Sequence, residues 1–599
     1  MTPPPANRPA PHGPAPSPPP PARRYVDILA AAVRVAERLP PLGGPEWPAL
    51  PSTAPPPPGG PPPPLGPLLD ASPPWFLGHH GWPAANGGRV ALLAEPGAAL
   101  TSASWGAWMR GGVLVPLAPG HPRRELDHVM SDAGPAVVAS DERHAEAASR
   151  LAADHGAEFV CVPEPEPAPP PGGDAPSPLP PPERAALEGF LGRALRRVAE
   201  VDAGALLIYT SGTTGRPKGA LHTHAGVSAQ VASLARAWGM GPGDAVAHAL
   251  PMHHIHGLVN AWLCPHRVGG CVHFVPRFTA GEVWDLVGGG AVSVLMGVPT
   301  MYSLLLSDLR VAPAGSEERR WREAGAAALR LAVSGSAACP APVMERWRDA
   351  SGSYLLERYG MTEVGMALSN PLDGPRRPGH VGTPLPFVEV ATASGLGLPG
   401  GPGGAEGEGA RGAEGRGDGE GTPGAGGGGA SGEGEELLVR GPSLFRGYWG
   451  RPEATAESLV DAGDGGGLWF RTGDTVAVRG GSYAVLGRTS VDVIKSRGYK
   501  LSALAIESAI LEHPRVREAA VLGLPDPVQG QVVAAVVALT GEGGLRLTEL
   551  RSALRGSLPR YALPERMETV DAIPRNAMGK VNKRQLAAWV AAERGGSTQ

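Results

Sequence analysis

The sequence predicts an α/β protein with one large layered domain and a smaller α+β domain behind it. Three observations carry this expectation. From about residue 203 to residue 390, strand-length apolar runs near 206–209, 272–275, 292–296 and 329–333 alternate with segments of helical spacing, the pattern of a sheet covered by helices. After residue 493 the alternation recurs on a smaller scale, with a helix expected at 503–512, strands at 519–524 and 532–539, and a helix at 548–557. Around these stretches lie tracts of Gly and Pro, 87 and 69 residues in a chain of 599, which cannot build a packed interior.

Taken in order, residues 1–22 are dominated by Pro and Ala and are expected to be extended. Arg8, Arg23 and Arg24 precede the first acid, Asp27, which is weakly like a mitochondrial transit peptide, but the amphipathic helix of such a peptide is missing. Residues 25–39 have helical spacing, and 40–74 return to Pro and Gly. Order is expected from a strand at 88–93, then 105–109, the apolar segment 111–117, a helix over 123–133 and a strand over 136–139. A Pro-rich acidic linker covers 163–182. Residues 393–436 are almost entirely Gly, Ala, Glu and Pro; such a segment buries too little apolar surface to offset its ordering entropy and reads as a disordered insertion. A strand at 436–440 and short alternating strands within 468–488 follow, and 594–599 should fray. The domains on this reading are 1–87, Pro-rich with one helix; 88–488, the large domain with its insertion; and 489–599, the small domain.

Charge and cysteine usage exclude some functions. With 53 basic against 57 acidic side chains and a net charge of -4, no broad electrostatic footprint for nucleic acid exists. Cys161, Cys264, Cys271 and Cys339 form no C-x-x-C pair, so neither a disulfide framework nor a zinc site is indicated, and a reducing compartment fits. No apolar run approaches the roughly 18 residues that span a bilayer, and no secretory signal is present. The chain is expected to be soluble.

The chemistry concentrates at Thr210-Ser211-Gly212-Thr213-Thr214-Gly215-Arg216-Pro217-Lys218-Gly219, entered from the apolar run 205–209. It reads as a buried strand feeding a Gly-rich turn, with helical spacing over 222–238 behind it. The glycines let backbone N–H groups approach an anion, the hydroxyls of Ser211, Thr213 and Thr214 add donors, and Lys218 adds charge. The Walker A spacing is not met. A linker shares the composition, but a linker seldom carries Arg216-Pro217-Lys218 directly behind a buried strand. Downstream, His253-His254-Ile255-His256-Gly257 invites a zinc reading, which the absence of a Cys or carboxylate at ligand spacing argues against.

The loop 210–219 resembles the phosphate loop of the adenylate-forming superfamily, which includes acyl-CoA synthetases, luciferases and peptide-synthetase adenylation domains. Glu357-Arg358-Tyr359-Gly360-Met361-Thr362-Glu363 resembles its Y-G-x-T-E motif. The resemblance implies that Tyr359 stacks on adenine, Thr362 meets the α-phosphate and acyl carboxylate, and Glu363 holds Mg²⁺, an ion that usually takes one or two carboxylates beside substrate phosphates. Ser334-Gly335-Ser336-Ala337-Ala338 matches the adenine loop, with Ser336 within it. By the same resemblance Asp474, in Arg471-Thr472-Gly473-Asp474, grips the ribose and Arg488 the ribose or phosphate side. Pro574-Arg575-Asn576-Ala577-Met578-Gly579-Lys580 matches the motif whose lysine completes adenylation. A compact cation there offsets the repulsion between acyl oxygen and phosphate most in the transition state. His256 would stand at the gate of the acyl pocket.

Closer wording in 251–257, 333–338 and 356–366 is similar to the malonyl-CoA synthetases of the mitochondrial acyl-CoA synthetase family, over about residues 88–588. The resemblance implies ATP, Mg²⁺ and coenzyme A, no nucleic-acid partner, a mitochondrial matrix location, and a mobile small domain hinged within 488–498 with Ser490 at the pivot. The departures are the Pro-rich start, which stands where the family has a first helix-strand layer, and the insertion. In the stretch expected to line the acyl pocket, from Cys271 to Met301, the basic residues are His273 and Arg277. Arg277 can bind a second carboxylate with two parallel hydrogen bonds; an exposed Arg at a strand end is the other reading. Two further functions stay open: a synthetase for another short acid, and a nucleotide-binding homologue that has lost catalysis.

Overall fold

The computed structural model describes residues 88–164, 203–210, 217–398, 434–497, 499–541, 543–575 and 581–592. The expectations for 1–22, 25–39 and 40–74, for most of the 163–182 linker and of the Gly-rich insertion, for Ser211 to Arg216, Gly498, 576–579 and Lys580, and for 594–599 lie outside the described residues.

Two seven-stranded sheets form the body of the large domain. In the first, Gly204–Thr210, Val113–Pro116, Arg89–Leu93, Val137–Asp141 and Glu158–Val162 lie side by side and parallel. Their residues read as near-continuous apolar runs because both faces are covered. Among the described residues this sheet has seven strands, all at Arg89 or beyond. In the second, Leu356–Met361, Leu331–Ser334, Val294–Gly297, Ala245–His248 and Cys271–Phe274 are parallel, and Gly365–Ser369 and Thr383–Pro384 turn back antiparallel at one side. The helix His224–Ala237 packs with both: Ile208 of the first sheet, Val231, Leu234, Trp238 and Trp262 between, and Met296 and Val333 of the second share one apolar cluster. That common core fixes the loops at the ends of one sheet relative to those of the other.

The segment after the Gly-rich loop corrects the sequence reading. Lys218–Thr223 is a strand running back antiparallel to Gly204–Thr210, with Lys218 opposite Thr210, and the helix begins only at His224. Thr223 caps it, its Oγ1 accepting from the Gly226 N–H at 3.1 Å, the usual way to satisfy an orphan donor. The strand was hidden because Gly219 to Thr223 are all buried, so no alternation marks it off from the helix. The helix Ala145–Asp154 and the strand Glu158–Val162 were not anticipated either.

A third, antiparallel sheet combines Glu389–Thr392, Glu435–Arg440, Leu459–Asp461, Leu468–Arg479 and Ser482–Arg488. The short strands expected in 468–488 are two long arms of one hairpin, turning at Gly480 and Gly481, whose φ of 57° and 76° favour glycine. The insertion is shorter than expected. Ala393 is buried with Leu438 and Trp469, Leu396 and Leu398 pack against them, and pairing resumes at Glu435. Deleting residues 400–432 should therefore leave melting temperature and activity nearly unchanged, whereas a deletion reaching Leu396 should cost stability; thermal unfolding of both variants checks this.

The small domain holds Val493–Ser496, Tyr499–Ser502, Val516–Asp526, Gly530–Leu539 and Arg566–Val570 in one sheet, with helices Ala503–Leu511, Leu547–Leu554 and Lys583–Ala592. Lys583, its side chain 9% exposed, is clamped by Asp492 at 2.6 Å and Glu507 at 2.7 Å. Burial works against its charge, but the two carboxylates outweigh burial and raise its pKa. Among the described residues no helix is long and apolar enough to cross a membrane.

Candidate active site

The chain after Leu356–Met361 reverses tightly at Thr362-Glu363-Val364 into Gly365–Ser369. Gly365 has φ 70° there, and a Cβ would collide with the Gln230 amide. The turn projects Glu363, 6% exposed, toward the first sheet. Its Oε1 accepts from the Tyr448 hydroxyl at 2.7 Å, and its carbonyl accepts from the Phe445 N–H at 2.7 Å. Lys218 Nζ stands 4.9 Å over the Tyr448 ring, a cation–π contact. One tyrosine thus joins the exit of the Gly-rich loop to the carboxylate of the Y-G-x-T-E motif. Burial, then the Glu363 charge, raises the Tyr448 pKa, so its hydroxyl remains a donor.

Tyr359, Asp474 and Arg488 also meet. Asp474 Oδ2 accepts from the Tyr359 hydroxyl at 2.6 Å and Oδ1 from Arg488 Nε at 3.0 Å. Arg488 Nη2 donates to the Thr472 carbonyl at 2.8 Å. Burial opposes the Arg488 charge, but Asp474 overrides it and the pKa is raised; Tyr359 is pushed well above its usual value by burial and then Asp474. The turn carrying Asp474 is set by Glu436, which accepts from the Gly473 N–H at 3.1 Å and pairs with Arg471 at 2.5 Å. Gly473, with φ 69°, makes that turn.

The second sheet ends in a loop whose Ser336 has φ 69°, a backbone region costly for a side chain with a Cβ. Its Oγ hydrogen-bonds to His256 Nδ1 at 3.1 Å. His256 opens a π-helical segment, His256–Leu263, of the kind that recurs at functional sites, and Gly257 is obligatory because a Cβ would strike the Pro251 carbonyl. Burial holds the His256 pKa well below its usual value, so the ring is neutral. Met301, 9% exposed, lies against Gly297, which pairs in register with Ser334.

The residue that sequence reasoning missed is Arg358. It is 3% exposed and packs so tightly on Gly335 that a Cβ there would run into its guanidinium. Its Nε and Nη2 find no partner among the described residues. Its neighbour Glu357, on the opposite face of the strand, accepts from the Cys339 N–H at 2.7 Å while Oε2 goes unpartnered. Burial pushes the Glu357 carboxyl up to about 8 and Arg358 down to about 9. Burial thus opposes the charged form of both neighbours, and Arg358 is a buried cation with two donor nitrogens unpartnered among the described residues. Arg277, by contrast, is exposed, three residues past the Cys271–Phe274 edge strand. A polar residue in the middle of a buried strand is the signal that could have singled out Arg358; Tyr448 and Glu436 had none.

The family description AMP-binding enzyme matches residues 78–408, and AMP-binding enzyme C-terminal domain matches 505–580. The chain is 43% identical over 503 residues to the mitochondrial malonate–CoA ligase ACSF3 of Bos taurus, covering 83% of this chain and 80% of that protein. It is similar to the crystal structure of ATP-bound MatB from Rhodopseudomonas palustris, with a TM-score of 0.67, 28% identity, and 94% and 93% of the two chains covered. It is also similar to a malonyl-CoA ligase ternary product complex with methylmalonyl-CoA and AMP, with a TM-score of 0.51, 33% identity, and 81% and 91% covered.

Proposed function

The chain belongs to the AMP-binding enzyme family, and from that membership we propose its reaction: ATP-dependent ligation of malonate to coenzyme A through an acyl adenylate. One malonate carboxylate oxygen attacks the α-phosphorus of ATP, and the bond to the β-phosphate oxygen breaks as pyrophosphate leaves. The CoA sulfur then attacks the acyl carbon, the thiol proton is lost, and AMP leaves. The relatives named mitochondrial support a mitochondrial location.

In this reading Thr210 to Lys218 hold the β- and γ-phosphates, Tyr359 and the Ser336 loop flank adenine, and Asp474 and Arg488 hold the ribose. Thr362 and Lys580 act at the α-phosphate. Glu363 suits Mg²⁺: it is a buried carboxylate with one oxygen engaged by Tyr448, and this ion needs few protein ligands when phosphates supply the rest. When bound, Mg²⁺ neutralises phosphate charge. His256 and Met301 wall the acyl pocket.

The observation that carries the substrate is Arg358. A buried cation with unpartnered donors is costly, and an anion brought against it lowers that cost. The distal carboxylate of a diacid supplies one, whereas the methyl of propionate does not. Arg277, exposed, is kept as a cation at the rim. Pyrophosphate release and thioester formation measured with malonate, methylmalonate, propionate and acetate test the proposal. Malonate should give the highest kcat/KM; a preference for propionate or acetate overturns the diacid reading, and no release with any acid indicates lost catalysis.

A further inference from the structure

Two buried side chains reach one turn, Gly335-Ser336, from different elements. The Arg358 guanidinium lies against Gly335, where a Cβ would collide with it, and Ser336 hydrogen-bonds through Oγ to His256 Nδ1 at 3.1 Å. Arg358 comes from the strand Leu356–Met361 of the second sheet, and His256 from the start of the π-helical segment. The two residues are 3% and 4% exposed. Arg358 Nε and Nη2 and His256 Nε2 all lack a partner among the described residues. Burial first, and then the Arg358 charge, keep His256 neutral, so its ring carries a single proton. Which nitrogen holds that proton depends on Ser336, whose hydroxyl can donate to Nδ1 or accept from it.

We infer that His256 is the second donor to the distal carboxylate of the diacid: Ser336 donates to Nδ1, the ring proton sits on Nε2, and Nε2–H and the Arg358 guanidinium grip one carboxylate together. The inference rests on the diacid reading of Arg358. A carboxylate offers only acceptors, so an Nε2 lone pair facing it would repel it, whereas an Nε2–H attracts it. A neutral donor also completes the site without a second buried cation, whose desolvation the single distal charge would have to offset. Discrimination follows from the same contacts. A buried site built to hydrogen-bond a group rejects the analogue that lacks it, because the site's own donors are left unpaired. The methyl of propionate leaves the Arg358 and His256 donors in that state, so His256 selects the substrate as well as walling the pocket.

The test measures kcat and KM for malonate and propionate with the full chain. His256→Phe keeps an aromatic wall and removes the donor. It should lower the ratio of kcat/KM for malonate to that for propionate about tenfold, the loss falling on the KM for malonate rather than on kcat, because a contact made equally in the ground and transition states acts on KM. His256→Gln, whose amide N–H can stand near the place of Nε2–H, should recover much of the ratio. In the Arg358→Met background, where the carboxylate has lost its cation, His256→Phe should change the ratio far less. Melting temperatures are read alongside, and His256→Leu carries the same comparison should His256→Phe unfold. An unchanged ratio, whether both acids lose equally, as a wall or gate alone would give, or neither loses, overturns the inference. Wild-type protein that prefers propionate, or Arg358→Met that loses both acids equally, would instead overturn the diacid reading beneath it.

Discussion

Arg358→Met should lower kcat/KM for malonate by roughly a hundred- to a few-thousandfold, the equivalent of about 3–5 kcal/mol for breaking a buried ion pair from one side. Activity with propionate should fall far less, or rise, because methionine suits a pocket that no longer has to receive a charge. Stability should hold or improve, since replacing a poorly compensated buried charge with an apolar side chain of similar length is often neutral or favourable. Arg277 gives the internal control: an exposed guanidinium contributes about 0–1 kcal/mol to an ion pair, so Arg277→Ala should cost malonate no more than about fivefold. Measuring kcat/KM for both acids on both variants decides the matter. A uniform loss in Arg358→Met, or a larger malonate-specific loss in Arg277→Ala, would return the distal carboxylate to the rim.

Lys580→Ala should reduce pyrophosphate release from ATP and malonate by about a hundred- to a thousandfold, as removal of one preorganised charge-stabilising group at a transition state does. Thioester formation from supplied malonyl adenylate and CoA should decline much less, because the lysine is assigned to only the first half-reaction. Parallel single-turnover measurements of the two halves check it, and equal loss in both removes Lys580 from that role.

The parts of the site legible in the sequence are those written locally. Tyr359, Thr362 and Glu363 lie within one hairpin, and Asp474 with Arg488 face each other across another, in register at Asp474 opposite Arg488. Most strand and helix positions in both domains were legible for the same reason: apolar runs of the right length between Gly and Pro. The contacts that hold these pieces together were not. Tyr448 reaches Glu363 across 85 residues and His128 reaches Pro217 across 89, and no local pattern records such pairings. Arg358 lies inside a recognisable motif, but its meaning comes from burial and missing partners rather than from spacing. The strand Lys218–Thr223 was missed because burial on both faces erases the alternation that marks a half-exposed strand.

Thr392 and Leu437 stand opposite one another on neighbouring antiparallel strands, so the ends of the chain that joins them are held at the spacing of a single ladder whatever lies between. The free energy of closing a loop grows only with the logarithm of its length, about 0.6 kcal/mol for each doubling. Lengthening this connection is therefore thermodynamically cheap, and its anchoring apolar contacts at Ala393 and Leu438 lie on the fold's side of the break. A foreign domain whose own termini are close together, such as a fluorescent protein, could be grafted between residues 400 and 432 without changing the register of the sheet that presents Asp474 and Arg488.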